Sequence, residues 1–327
     1  MLSRDADEIR VLTFNGEHDF GGHTTKAWGD VYGWIADEIR PDIILLQEAT
    51  HARKDGRRGL HAALHRLRMT GFLAETSTVE SPNPTAILVN PAKIRIVAQY
   101  PQPTGWWHEL AQCRIARAGH DGGPEVSLAS VHLCARSPHR RLQEAELTVH
   151  WGQVGQVDNP DDPDGPRLQW TVPCIIGGDF NSYSGSGCEL APLPDLTATA
   201  DRNHRVHRSL PDRRTPDTRP WDTLTAAGYT DLALFAHLHR DQGEQAMQGT
   251  SHGRTDQGAD PARGQRPPRI DFTFANGLLP NALRTSRVIE DPNRHSDHKS
   301  LLNTFDADAF WDAAQTMLTP HLPTDAE

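Results

Sequence analysis

The stretch VPCIIGGDFNSYSG, residues 172–185, sets the terms on which the rest of the chain is read. Its apolar run, Val172 to Ile176, has the length and composition of a buried strand. It then passes through Gly177 and Gly178 into Asp179, Phe180, Asn181 and Ser182. Residues two apart on a strand face the same way, so Asp179 and Asn181 turn to one side while Phe180 packs on the other. Asp, Asn, Ser and Gly are also turn formers, and taken alone the stretch reads most simply as a strand followed by a plain turn. The rest of the chain must decide between the two.

Five further strand-like runs carry a polar residue at a tip or in an otherwise apolar face. LTFN ends in Asn15, and ILLQE ends in Glu48 after four apolar residues and a glutamine. SVHL sets His132 inside an alternating strand, RIDF opens a strand with Asp271, and HSDH places Asp297 and His298 directly before the last strand. Each has an ordinary explanation: Glu48 can pair with a lysine, a strand histidine can be a satisfied core residue, and Asp297–His298 can form a turn. One shared site accounts for all of them more economically than six separate accidents.

Composition narrows the classes. The chain has 327 residues, with 33 Lys and Arg against 43 Asp and Glu, a formal net charge of −10. No basic surface dominates, which disfavours tight nonspecific nucleic-acid binding through phosphate neutralisation but leaves room for a local basic groove. The opening residues show no basic segment followed by an apolar stretch, and no apolar run approaches membrane-spanning length. Cys113, Cys134, Cys174 and Cys188 form no C-x-x-C pair, so buried free thiols are expected rather than disulfides or a zinc site. These features lead us to expect a cytoplasmic monomer that does not engage membranes.

Along the chain, strand-like IRVLTFN, PDIILLQE, TAILVN, KIRIVAQ, EVSLASVHL, IDFTFAN, LRTSRVIE and KSLLNTF alternate with helical patterns. The helical patterns are KAWGDVYGWIADEIR, GLHAALHRLRM, PHRRLQEAELTVHWGQV, WDTLTAAGYTDLALFAHL and DADAFWDAAQTML, the last capped by Asp306 or Asp308. DNPDDPDGP reads as a solvated linker. Strand signals resume beyond both long polar segments, near 189–220 and 239–269, so the expectation is one domain over 1–327 with two polar insertions.

Taken in order, LTFN, LQE, VHL, GDFN, RIDF and SDH resemble the endonuclease/exonuclease/phosphatase superfamily from about Val11 to Phe305. The resemblance implies a deoxyribonuclease-like four-layered α/β sandwich: two mixed sheets face to face, flanked by helices, with the active site where strand-end loops converge. It implies metal binding through Glu48, with Asn15 and Asp297. Oxygen donors suit a hard ion, Mg²⁺ or Mn²⁺. It gives Asp179 the role of orienting and deprotonating the attacking water, assisted by Asn181. His298 lies beside the phosphate with its tautomer fixed by Asp271, and His132 is a second phosphate-contacting histidine.

The implied reaction is hydrolysis of a phosphodiester, with nucleic acid the expected substrate class. A phosphodiesterase or phosphatase acting on a small-molecule or lipid phosphoester is the alternative, and an inactive binding module on the same fold is the alternative from another class. PPRIDF lacks the pattern expected of inositol polyphosphate phosphatases. Arg114 matches a region where relatives place a basic residue near substrate. Arg205, Arg208, Arg213 and Arg214, in the insertion that follows GDFN, are expected to grip flanking phosphates. Trp106 and Trp107 are read as packing residues.

Overall fold

The computed structural model describes residues 7–74, 83–101, 105–185, 187–190, 193, 205–210, 213–251 and 267–322. Its strands are β1 (Glu8–Asn15), β2 (Ile43–Gln47), β3 (Thr70–Leu73), β4 (Ala86–Val89), β5 (Ile94–Gln99), β6 (Ala111–Arg117), β7 (Val126–His132) and β8 (Val154–Val157). The second half adds β9 (Leu168–Thr171), β10 (Cys174–Asp179), β11 (Val206–Leu210), β12 (Arg213–Pro216), β13 (Tyr229–Asp231), β14 (Asp271–Asn276), β15 (Leu283–Ile289) and β16 (Ser300–Asp306). The helices are α1 (Lys26–Trp34), α2 (Lys54–Leu67), α3 (Pro138–Thr148), α4 (Arg219–Ala226), α5 (Leu232–His239) and α6 (Ala307–Leu318).

Two six-stranded sheets form the centre, in the orders β15-β16-β1-β2-β4-β3 and β13-β14-β10-β7-β6-β5. Each is mixed. In the first sheet, β1 runs parallel to β2 and antiparallel to β16; in the second, β10 runs parallel to β7 and antiparallel to β14. Alternation along these strands builds four layers. Val11, Ile43, Leu45, Leu128 and Ile175 point between the sheets, whereas Leu12, Phe14, Ile44 and Leu46 pack outward with Trp28, Val31 and Leu60 of α1 and α2. On the far side Ala129, Val131, Ile176, Phe180, Phe272 and Phe274 meet Ala145 of α3 and Trp221 and Leu224 of α4. This is the sandwich that the sequence leads one to expect.

Towards one end of the sandwich the inner faces change character. The inward series runs Val11-Thr13-Asn15, Ile43-Leu45-Gln47, Leu128-Ser130-His132, Ile175-Gly177-Asp179 and, in the reverse direction, Ala275-Thr273-Asp271. Small or hydrogen-bonding residues thus separate the apolar core from the charged rim. Thr13 and Thr273 share a 2.8 Å hydroxyl contact across the sheets, and Gln47 Nε2 donates to Ser130 Oγ at 2.9 Å. Gly177 makes this approach possible: a Cβ there would lie 2.4 Å from Thr13 Oγ1 and 2.6 Å from Leu45 Cδ1.

Several local readings are corrected. WDTLTAAGYTDLALFAHL is not one helix. Gly228, at φ 84°, ends α4, the edge strand β13 intervenes, and Asp231 caps α5 by accepting from Ala233 N at 3.0 Å. DNPDDPDGP connects a hairpin, β8–β9, that the sequence did not announce. Asp306 rather than Asp308 caps α6, accepting from Ala309 N. All four cysteines are free, three of them buried, and among the described residues no helix is long and apolar enough to cross a membrane. Of the two polar insertions, residues 194–204 and 252–266 lie outside the described residues.

Two stability outcomes follow. Gly177→Ala forces a methyl into the seam between the sheets and is expected to cost about 1–3 kcal/mol, read as a lower urea midpoint at unchanged slope. The second concerns Asp19, buried between β1 and α1, where Tyr32 OH donates to its Oδ1 at 3.3 Å. Burial raises its carboxyl from 3.8 to about 7, partly offset by the Tyr32 bond. The folded chain therefore holds this proton more tightly than the unfolded chain. The resulting stability is full below 3.8 and is lost as pH rises through about 7. Asp19→Asn should flatten that fall, measured as urea midpoints on either side of the window.

Candidate active site

The rim residues meet at the end of the sandwich where β7 and β10 finish and β14 begins. Register brings them together: Asp179 lies opposite Asp271 on β14 and opposite His132 on β7. Asn15, at the end of β1 in the facing sheet, reaches across. Its Nδ2 donates to Asp179 Oδ2 at 3.2 Å and to Glu48 Oε1 at 3.4 Å. Asn15, Asp179, Asn181, Asp271, His132 and His298 are all at most 8% exposed. Two turns immediately after strands use backbone that side chains rarely adopt: Glu48 has φ 57° and Asn181 has φ 48°. Such conformations are sterically costly and persist where surrounding structure over-determines them.

Asp179 is held from several directions. Its Oδ1 accepts from Asn181 N at 2.8 Å, and its Oδ2 lies 3.5 Å from His132 Nε2 and 3.7 Å from His298 Nε2. Asn181 turns its amide away, donating from Nδ2 to Leu133 O at 3.0 Å. Asp271 grips His298 Nδ1 with both oxygens, at 2.9 and 3.1 Å, and is itself anchored through its backbone N–H, which donates to Thr250 Oγ1 at 3.0 Å. Burial works against a charged His298, but Asp271 and then Asp179 outweigh it and raise the imidazole from 6.5 to about 10. Burial pushes Asp271 up, opposed by the His298 charge. The bidentate geometry and the raised imidazole both favour an imidazolium held by a carboxylate.

Glu48 stands on the facing sheet. Its Oε2 accepts from His18 N at 3.0 Å and lies 3.2 Å from His18 Nδ1. Burial raises its carboxyl, which His18 counteracts. Glu17 ties the last turn into the same corner: its Oε2 accepts from Asp297 N at 2.8 Å, and its own N–H donates to Asn15 Oδ1 at 3.0 Å. Asp297 Oδ1 lies 3.8 Å from His298 Nε2.

Four carboxylates, Glu48, Asp179, Asp271 and Asp297, therefore border a small region in which His298 is cationic. That surplus of buried negative oxygen fits a hard divalent ion. Among the described residues, Asp179, Asp271 and His298 offer ligand atoms within 4.8 Å of one another. His298 spends Nδ1 on Asp271, which leaves Nε2 towards Asp179 and Asp297; while charged it handles a proton there, and coordination would require the neutral imidazole. Asn15 turns nitrogen to both carboxylates and so braces them.

Other sequence-derived candidates lie elsewhere. Arg114 is on β6 opposite Ser127, five residues back from His132 along β7. Its guanidinium stands 5.5 Å from the Tyr100 ring and 3.6 Å from Glu125. Arg205 is 3% exposed, with φ 57°, and its carbonyl accepts from Asp217 N; it is buried rather than presented to solvent. Arg208 and Arg214 face each other across β11–β12, next to Arg213, but the side chains of these three lie outside the described structure. Trp106 packs, stacking on Trp151 at 5.7 Å. Sequence reading missed His108, which stacks on His132, as well as Glu17 and Thr250. None of these stands in a pattern with the other site residues; contacts distant in sequence recruit them.

No family model matches the sequence, and no curated protein matches it. Solved structures do. An AP endonuclease from Archaeoglobus fulgidus superposes with a TM-score of 0.58 at 18% identity, covering 91% of this chain and 99% of that one. A 3'-5' exonuclease from Neisseria meningitidis gives 0.56 at 15% identity, covering 91% and 100%. An endonuclease/exonuclease/phosphatase family protein from Bacteroides thetaiotaomicron gives 0.53 at 15% identity, covering 91% and 97%. Each match covers 91% of this chain, and on that ground this chain shares the fold of these endonuclease/exonuclease/phosphatase proteins.

Proposed function

We propose that this protein is a divalent-metal-dependent phosphoester hydrolase whose substrates are phosphodiesters of nucleic acid. The observation that carries the reading is the meeting of a held carboxylate, Asp179, with a buried cationic imidazole, His298, beside the surplus of acidic oxygen around Glu48. The names of two similar structures, an AP endonuclease and a 3'-5' exonuclease, favour nucleic acid over a small phosphoester.

In this reading each side chain has a defined task. Asp179 accepts the proton of the attacking water. The Asn181 N–H and the Asn15 amide hold its oxygens in place, so the base is oriented before substrate arrives. His298, its Nδ1 committed to Asp271, points Nε2–H towards the same region and donates to a phosphate oxygen as negative charge grows there. His132 offers a second ring nitrogen, Nε2, on the other side of Asp179. Glu48 would hold the divalent ion with Asp297, and Asn15 would keep Glu48 aimed. When bound, that ion supplies Lewis-acid neutralisation of phosphate charge.

The test is a hydrolysis panel of plasmid, single-stranded DNA, RNA and bis-p-nitrophenyl phosphate, with and without Mg²⁺. Activity on a polynucleotide that vanishes in EDTA supports the reading; full turnover in excess EDTA removes the metal from it. Glu48→Gln should weaken Mg²⁺ binding by calorimetry and lower kcat by about 10²-fold or more.

Asp271→Asn tests the ion pair. In the parent, His298 stays protonated until pH rises through about 10, because its raised pKa preserves the cation below that value. Removing the larger of the two carboxylate influences should bring the alkaline limb of the kcat profile down by about one unit or more. A limb that does not move would show that His298 is not the titrating donor.

A further inference from the structure

The inference concerns how His132 is aimed, and it rests on the reading of the cleft as a phosphoester hydrolase site. His132 ends β7, and the strand fixes its Cα and Cβ but leaves the rotation of the imidazole about χ2 soft. What settles the ring plane is His108, in the segment before β6. The two imidazoles lie face to face, with centroids 3.7 Å apart and planes 7° from parallel, and both residues are 5% exposed. We propose that His108 is a positioning residue: an uncharged flat ring, packed face to face on His132, that clamps the plane of the His132 imidazole.

The clamp is built from both sides. Trp107 sets its ring edge-on to His108, at 6.4 Å and 89°, and Arg140 holds Trp107 with its guanidinium 5.4 Å from the indole. Glu144 Oε1 accepts from Trp107 N at 2.7 Å, tying this corner to α3. His108 also bonds the backbone of Asn83, whose side chain accepts from Thr50 Oγ1. The His108 ring therefore has little freedom, and a face-to-face neighbour that cannot rotate denies rotation to His132.

Electrostatics keeps His108 uncharged within the stack. Two imidazolium rings at this separation, out of water, repel strongly, so the pair carries one positive charge at most. Arg140 and Glu144 stand behind Trp107, His298 lies across Asp179, and the stack itself feels Asp179, 3.5 Å from His132 Nε2, and Arg136. Burial, and next the His132 charge, depress His108 well below the usual histidine range; Asp179 and the Asn83 backbone bond pull the other way, and Arg136 acts with burial. A ring of phenylalanine shape meets the proposed requirement; an aliphatic side chain of similar volume does not.

The experiment compares His108→Phe, which keeps a neutral planar face, with His108→Leu, which fills the space without one. It uses the full chain, with Mg²⁺ and bis-p-nitrophenyl phosphate as the probe. His108→Leu should lose about 10-fold or more in kcat with KM within about twofold, and His108→Phe should recover to within about threefold of the parent. Parent-like turnover in His108→Leu, or equal losses in both variants, overturns the proposal. A second arm needs no turnover. In the parent, ¹⁵N shifts should report His108 in a neutral tautomer at about pH 6, where an ordinary histidine is largely charged. A charged His108 there overturns the proposal whichever variants fold. If the parent hydrolyses no phosphoester while His108 stays neutral, the reading of the cleft fails and the stack stands.

Discussion

Everything at the rim depends on how closely the two sheets approach where Gly177 faces Thr13. Sheets that pack through large aliphatic side chains stand about 10 Å apart, too far for short polar side chains on opposite faces to meet. Here the inner faces shrink just before the rim: a glycine on β10, a serine on β7, and threonines on β1 and β14. The hydroxyl contact between Thr13 and Thr273 and the Gln47–Ser130 bond close the gap without leaving these groups unsatisfied. One step further along each strand, Asn15 can then bond a carboxylate belonging to the other sheet. The polar seam is thus both the last layer of core and the first support of the site.

The seam also explains the electrostatics. Asp179 and Asp271 are cross-strand neighbours, an arrangement that like charges disfavour. It is tolerated because His298 lies against both of them. The imidazolium owes its persistence to two carboxylates, and they owe their proximity to it. A cleft assembled this way carries a built-in excess of negative oxygen on the Glu48 side, which gives a divalent ion a physical reason to be there.

Much of this was legible in the chain. Alternation at period two marks which residues share a face, and the polar residues of LTFN, VHL, GDFN and RIDF fall on the inward phase of their strands. What the sequence conceals is position along a strand. Arg114 has the residue type expected near a phosphate, but antiparallel register sends it towards the other end of β6, beside Tyr100 and Glu125. Residue type likewise misleads at Arg205, whose left-handed backbone and burial no local pattern announces. The helical period of WDTLTAAGYTDLALFAHL runs smoothly through Gly228, because the edge strand it hides is three residues long. His108 could not be found from its neighbours, since its meaning lies entirely in a ring 24 positions away.

The order of strands in the first sheet has a consequence for the timing of synthesis. β1, the first strand of the described residues, is flanked by β2 and by β16, the last of them, with Glu8 opposite Asp306. A chain emerging from the ribosome at about 5–20 residues per second can pair β1 with β2 early, but the other edge of β1 stays open until β16 has been made. The same final stretch brings Asp297 and His298. The nascent protein therefore carries an exposed strand edge through the roughly 300 residues that separate β1 from the end of β16, a state in which edges recruit foreign strands. The closing of that edge and the arrival of His298 are one event, so a ribosome-bound chain lacks a finished rim and is open to foreign strands at the same time.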